Sequence, residues 1–437
     1  MKASVRIRTS KNQIEIPTPI GLPTLAKMAF DGVDLTPMWN TLVERTLETD
    51  GDAAALLDLS TIAHLQGRPQ DRLALQAEAF RFSRVYRQRP AAETADPLRL
   101  LAFMAPGDFM ANIPLEFMVG SANVNLDMVY VIPGEPLPEI PDHHVALVAA
   151  AESDENQAVL AEVAGFIGRW PRPVINAPDR IARLTRAGTW ELLKDAPGVV
   201  FPMNVRITRD TMLSLGSGAM NVEELLSASF PIIARPADSH AGKGLVKLES
   251  AEEISDYLDE WPVEDFYIAP FIDYRGPDGL FRKYRIAFID GRPFACHMAI
   301  SEHWMIHYLN AGMTESAEKR AEEANFMATF DEDFAVRHRE ALGAIAQRAG
   351  LEYLPIDCGE TCDGKLLVFE SGTNMIVHSM DSPELFPYKP PQMQKVFAAF
   401  EAMLCRVATQ YPLVTTEAPP LAPVQSTSNS ALANLPK

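Results

Sequence analysis

Between Tyr353 and Asn374 the chain reads YLPIDCGETCDGKLLVFESGTN, two apolar, strand-prone runs around Asp363-Gly364. Asp-Gly is a strong two-residue hairpin signal, because Gly accepts positive φ and Asp nearly does. With those residues as the loop, facing positions sum to 727, so Asp357 falls opposite Glu370. Their Cβ atoms would lie about 5 Å apart on one face. Two carboxylates so placed repel unless a cation or a proton lies between them. Oxygen ligands of this kind suit Mg²⁺, which keeps several waters and completes its shell from phosphates. A slip of one residue would undo the pairing and leave a surface hairpin with two unrelated acids.

Two further segments carry chemistry. In PIIARPADSHAGKGLVKL a strand ending at Arg235 enters a loop with Ser239, His240, Gly242, Lys243 and Gly244, then returns as a strand. Such glycines let backbone N–H groups close over an anion, and Arg235 and Lys243 add positive charge. The G-x-x-x-x-G-K-[ST] pattern is absent, so this is no P-loop, and a plain glycine hairpin is the alternative. In DFYIAPFIDYRGPDGLFRKYRIAFIDGRPF, Asp290-Gly291 predicts a second hairpin. Alternation sets Lys283 and Arg285 on one strand face, and a guanidinium is well shaped for carboxylate or phosphate.

The rest of the 437 residues supplies a frame. Residues 1–37 are broken by Pro17, Pro19, Pro23 and Pro37, and helical pattern runs from Met38 to about Arg87 around a Gly67/Pro69 turn. That hairpin resembles a lone tetratricopeptide-type unit, which cannot bury its own face and should dock on the remainder. LRLLAFMA, VYVIP and HHVALVAA read as buried strands, with a helix over Gln157–Trp170 and a strand before Asn176. Strands alternating with helices predict a small parallel α/β layer. A helix over Ile181–Lys194 and a last one over Pro391–Ala408 follow, and the Pro/Ser/Thr-rich end after Tyr411 should be disordered. The predicted divisions are 1–95, 96–178, 179–410 and 411–437.

With 39 basic against 58 acidic residues the net charge is −19, which argues against nucleic acid or an anionic membrane as partner. No apolar run approaches membrane-spanning length and the start lacks the core of a signal peptide, so a cytoplasmic protein is expected. Four cysteines make no disulfide framework, and no nucleophile elbow or catalytic-cysteine signature occurs. His297, His303 and His307 fit no standard ligand spacing.

Taken in order, the motifs over about residues 171–405 resemble the ATP-grasp superfamily, closest in pattern to glutathione synthetase and ribosomal-protein glutamate ligases. The resemblance implies an α+β fold with a small α/β pre-grasp domain, to which the N-terminal helical module is appended. PVINAPDRIARLTRAGTWELL resembles the segment bearing the first nucleotide Lys, which puts Arg186 there. PIIARP puts Arg235 at the second. YIAPFI resembles the hinge that meets adenine, at Ala269, Phe271 and Ile272, with Asp273 beside the ribose. FRKYRIAFIDG places Arg285, with Lys283, at substrate and phosphate, where the family has an acid in place of Lys283. LPIDCGE and LLVFESGTN place Asp357 and Glu370 at magnesium, with Asn374 in the role of the family's Asn, since Gly372 stands at the expected position. A further family Asn is replaced by Tyr308, with His307 and Asn310 adjacent.

The resemblance implies ATP and Mg²⁺ as cofactors and an ADP-forming ligase that joins a small carboxylate, or a peptide, to an amine or thiol through an acylphosphate. The arginines in place of both lysines leave two alternatives, an ATP-binding interaction protein with lost catalysis and a phosphotransferase. The helical module offers a place for a protein partner, and a homo-oligomer stays open.

Overall fold

The computed structural model describes residues 15–49, 51–90, 96–120, 122–237, 239, 242–308 and 311–410. His240, Asn310 and the segment 411–437 lie outside them. The class is α+β, in three sheets. In the first, β2 (Leu98–Met104) lies parallel to β3 (Val124–Tyr130) and β4 (Val145–Val148), and β4 to β5 (Val174–Ile175). These strands are buried almost throughout, as apolar runs covered on both faces should be. β1 (Val85–Gln88) adds an antiparallel edge to β3. The helical pattern expected up to Arg87 therefore stops earlier, at Phe82, and residues before 95 join the α/β layer.

The second sheet is antiparallel, in the order β7 (Val205–Thr208), β10 (Asp265–Pro270), β8 (Ile232–Pro236), β9 (Val246–Leu248). It owns a separate hydrophobic cluster, with Met212, Ile232, Ile254, Phe266 and Ile268 at its centre. The third runs β12 (Arg292–Ser301), β11 (Phe281–Ile289), β13 (Tyr353–Glu360), β14 (Leu366–Ser371), β6 (Val199–Val200). It shares one continuous core with the first sheet. The last helix, Lys389–Gln410, packs on β11, β12 and β4 and so joins those two sheets.

At the N-terminus lie helices Leu22–Phe30, Thr36–Glu48, Ala53–Leu65 and Pro69–Phe82, the first within a stretch the prolines mark as irregular. Pro23 sits in the opening turn of its helix, where a missing N–H costs nothing. The hairpin of the last two docks on the first sheet through Leu57 and Ala79, and Gln76 exchanges hydrogen bonds with Gly107 at 2.9 and 3.0 Å.

The two hairpins differ in how the chain turns. At Asp290-Gly291 both residues take positive φ (51° and 75°), and Ile289 pairs with Arg292 around a two-residue loop, as expected. At Asp363-Gly364 only Gly364 is left-handed (φ 78°), and the Thr361 N–H bonds to Lys365 O at 3.0 Å. The loop is therefore three residues long, not two. Cys358 pairs with Val368, but a bulge at Phe369 restores the register, and Asp357 faces Glu370.

Candidate active site

Between the second and third sheets lies a cleft of about 860 Å³. On one wall stand Arg235 and Ala269, on the other Lys283, Arg285, Asp357 and Glu370, with Phe271 and Ile272 along the connection. Arg186 also lines it. The helix expected over 181–194 is interrupted at Thr185 (ψ 156°), whose hydroxyl caps the Gly188 N–H at 2.9 Å. A new helix, Arg186–Leu193, starts there, so the break is what puts Arg186 on the cleft.

Arg235 is half-buried on β8, and its one hydrogen bond among the described residues runs from Nε to Ser239 Oγ at 3.2 Å. Burial first, and the neighbouring Arg186 guanidinium second, push its pKa down to about 10. Arg186 itself reaches Glu370 only at 3.9 Å and lies 5.8 Å over the Tyr267 ring. Among the described residues the partly exposed Glu370 is thus the one carboxylate within 4 Å of either guanidinium, with Glu152 acting on Arg186 from farther off.

On the opposite wall Lys283, Arg285 and Asp357 are paired with one another. Arg285 donates to Asp357 at 2.7 and 2.9 Å, and Lys283 reaches the same carboxylate at 3.0 Å. Burial alone would raise the Asp357 pKa, but these two cations outweigh it and hold the carboxyl far below its usual range. A third Arg285 bond goes to Ile376 O at 2.9 Å.

The glycine loop closes tightly. Gly244 takes φ 69°, and a Cβ there would meet the Pro236 ring at 2.6 Å. Gly242 lines the cleft, whereas Ser239 turns its hydroxyl onto Pro236 O at 2.8 Å and Lys243 is exposed. Neither Ser239, Lys243 nor Gly244 reaches the cleft wall, and neither does Asp273, which binds the Arg275 N–H at 3.0 Å.

The expected magnesium donors, Asp357, Glu370 and Asn374, do not form a metal site in this arrangement. Both Asp357 oxygens are committed to Arg285 and Lys283, and the Asn374 amide donates to Met110 O at 2.7 Å, off the cleft. Only Glu370 stays free to meet a cation. Among the described residues no three His, Cys, Asp or Glu side chains gather as metal ligands.

No protein-family model matches the chain, and no curated protein does. Three solved structures that it resembles can be set beside it. The VanG D-Ala:D-Ser ligase from Enterococcus faecalis is 13% identical, with TM-score 0.43, over 72% of this chain and 100% of that one. The D-alanine–D-alanine ligase from Bacillus anthracis complexed with ATP is 14% identical, with TM-score 0.41, over 72% and 99%. A RimK domain ATP-grasp protein from Sphaerobacter thermophilus is 14% identical, with TM-score 0.38, over 70% and 99%. Among the described residues no helix is long and apolar enough to cross a membrane.

Beyond Arg285 the cleft is lined by groups that no motif pointed to, among them Lys389, Asp381, His378 and Phe30. They come from opposite ends of the chain, so no local spacing joins them. Tyr308 and His297, singled out for other reasons, stand there too.

Proposed function

We propose that the protein is an ADP-forming ligase of the ATP-grasp type that joins a carboxylate to an amine through an acylphosphate. The observation that carries this reading is the pair Arg186 and Arg235, two cleft guanidiniums short of negative charge. A polyanion supplies what they lack, and Arg fits phosphate bidentately. The apolar strip Ala269–Ile272 offers a planar base backbone groups and a dry surface. In this reading the substrate carboxylate attacks the γ-phosphorus in line, ADP leaves, and the amine displaces phosphate from the acylphosphate. Positioning and charge stabilisation carry most of such a reaction. Arg285, fixed by Asp357, faces the developing oxyanion, while Arg186 and Arg235 take the phosphate charge. Magnesium entering with the nucleotide would find one free carboxylate, that of Glu370.

A second reading rests on Asp357. Its oxygens already answer to two cations, which favours an ATP-binding protein whose catalysis is lost. ADP release across a panel of amino acids and small carboxylates, with product masses recorded, separates the two. Amide product alongside ADP supports the ligase. Tight ATP binding with no ADP from any pair supports the second reading, and phosphorylated product alone indicates a phosphotransferase.

A further inference from the structure

Past Arg285 the cleft ends in a compartment whose charge runs opposite to that of the arginine end. Its back wall holds Lys389, 2% exposed, which donates to the Tyr308 hydroxyl, to Asp381 at 3.0 Å and to Glu323 at 3.3 Å. Glu323 is fully buried and also receives the Tyr388 hydroxyl at 2.6 Å and the Met298 N–H at 3.1 Å. One cation therefore faces two carboxylates. Glu323 is saturated, but Asp381 Oδ1 accepts no hydrogen bond from a described residue. His297, across from Arg285 on the neighbouring strand, has a buried Nδ1 without a partner. Burial first, then Arg285, push its pKa well below the usual value, so the ring brings no charge. A carboxylate oxygen without a donor to match is complementary to an ammonium group.

The same compartment has an apolar side. Phe30, the last residue of helix Leu22–Phe30, lines the cleft together with Met110 and Met380. That helix packs on Leu115–Val119, whose Phe117 ring is 6.1 Å from His378. Phe30, 44% exposed, thus lines the same cleft as Asp381.

We propose that this compartment takes an amine with an apolar body, its ammonium on Asp381 and its hydrocarbon against Phe30, so that the N-terminal helix is part of the acceptor site. The role of that amine as acceptor rests on the ligase reading; its binding does not. The test is calorimetry on the full chain with hexylamine, hexanol and hexanoate, with and without a non-hydrolysable ATP analogue. Hexylamine should bind at least tenfold more tightly than hexanol or hexanoate. Phe30→Ala, at a half-exposed position the fold tolerates, should reduce the preference for hexylamine over ethylamine at least tenfold, since four methylenes lose their wall. Asp381→Asn should weaken hexylamine tenfold, and both variants should keep the wild-type affinity for the analogue. Hexanoate binding as tightly as hexylamine, or a hexylamine preference untouched by Phe30→Ala, overturns the proposal. If the analogue does not bind but hexylamine is still selected, the ligase reading falls and the compartment stands. If the analogue binds and hexylamine is not selected, the compartment falls alone.

Discussion

The two ends of the cleft treat buried charge in opposite ways. At the arginine end neither Arg186 nor Arg235 has, among the described residues, a carboxylate closer than Glu370, 3.9 Å from Arg186. At the far end Lys389 and Glu323, 2% and 0% exposed, are matched to each other and to Tyr308, Tyr388 and Asp381. An internally matched network holds helix Lys389–Gln410 to the third sheet. An unmatched pair costs stability and persists where a ligand completes it. The difference separates Lys389 and Glu323, matched within the fold, from the arginine pair, which a ligand would complete, and it leaves Asp381 with one oxygen on the network and one facing the cleft.

The strongest way to break this contrast is Lys389→Met. Removing one partner strands Glu323 in a dry site and leaves Asp381 unpaired at the cleft, and breaking such a buried pair costs about 3–5 kcal/mol. Denaturant unfolding should show that loss. The double variant Lys389→Met/Glu323→Gln should recover part of it, because the more deeply buried of the two stranded charges goes as well. A single variant as stable as wild type would mean that the network does not hold the fold.

Arg235→Ala tests the other end and should behave in reverse. Losing a charge-assisted contact worth about 1.5–3 kcal/mol raises the KM for ATP by roughly 10- to 100-fold. Stability should hold or rise slightly, since an unpaired half-buried cation is gone. An effect on the second substrate alone would move Arg235 out of the nucleotide site.

How far all this was legible depends on the length scale of the signal. Asp290-Gly291, the buried runs of β2 to β4 and the shared face of Lys283 and Arg285 are local, and the structure has them. A two-residue turn predicts that Asp357 faces Glu370, and they do face each other, but around a different turn. The loop is one residue longer than two, and the bulge at Phe369 compensates, which no periodicity encodes. The engagement of Asp357 by Lys283 could have been drawn from the strand face, but strand order was needed to bring β11 beside β13. Lys389, Glu323, Asp381 and Phe30 were not readable at all as a group. They belong to four separate segments, helix Leu22–Phe30, helix Ala317–Thr329, the stretch at Asp381 and the last helix, which only the tertiary fold brings together.

Glu370→Gln sharpens the contrast at a smaller scale. Glu370 is, among the described residues, the one acid within 4 Å of the arginine pair, half-exposed and 3.9 Å from Arg186, an arrangement worth about 0–1 kcal/mol. If its role is only to quiet Arg186, the variant binds ATP up to roughly fivefold more tightly and turns over normally. If it meets magnesium, turnover collapses while the fold is unchanged, which is the expected outcome. Nucleotide affinity and turnover measured on the same sample separate these results.

The smallest effect is on pH dependence, again at the far end. Burial first pushes the His378 pKa well down from 6.5, against the opposing pull of Asp381. The folded protein thus holds the ring neutral where the unfolded chain would take a proton. Its contribution is fully present above the unfolded value of 6.5 and is lost as pH falls below it, towards the depressed folded value. Asp381 faces that ring and Lys389 and Arg285 act on it from neighbouring elements, so the slope reports the whole matched network. His378→Gln should flatten stability between pH 6.5 and 4 relative to wild type, read as Tm in parallel buffers. An unchanged slope would show that the ring is already solvated, and that the far end is less closed than the pairing of Lys389 requires.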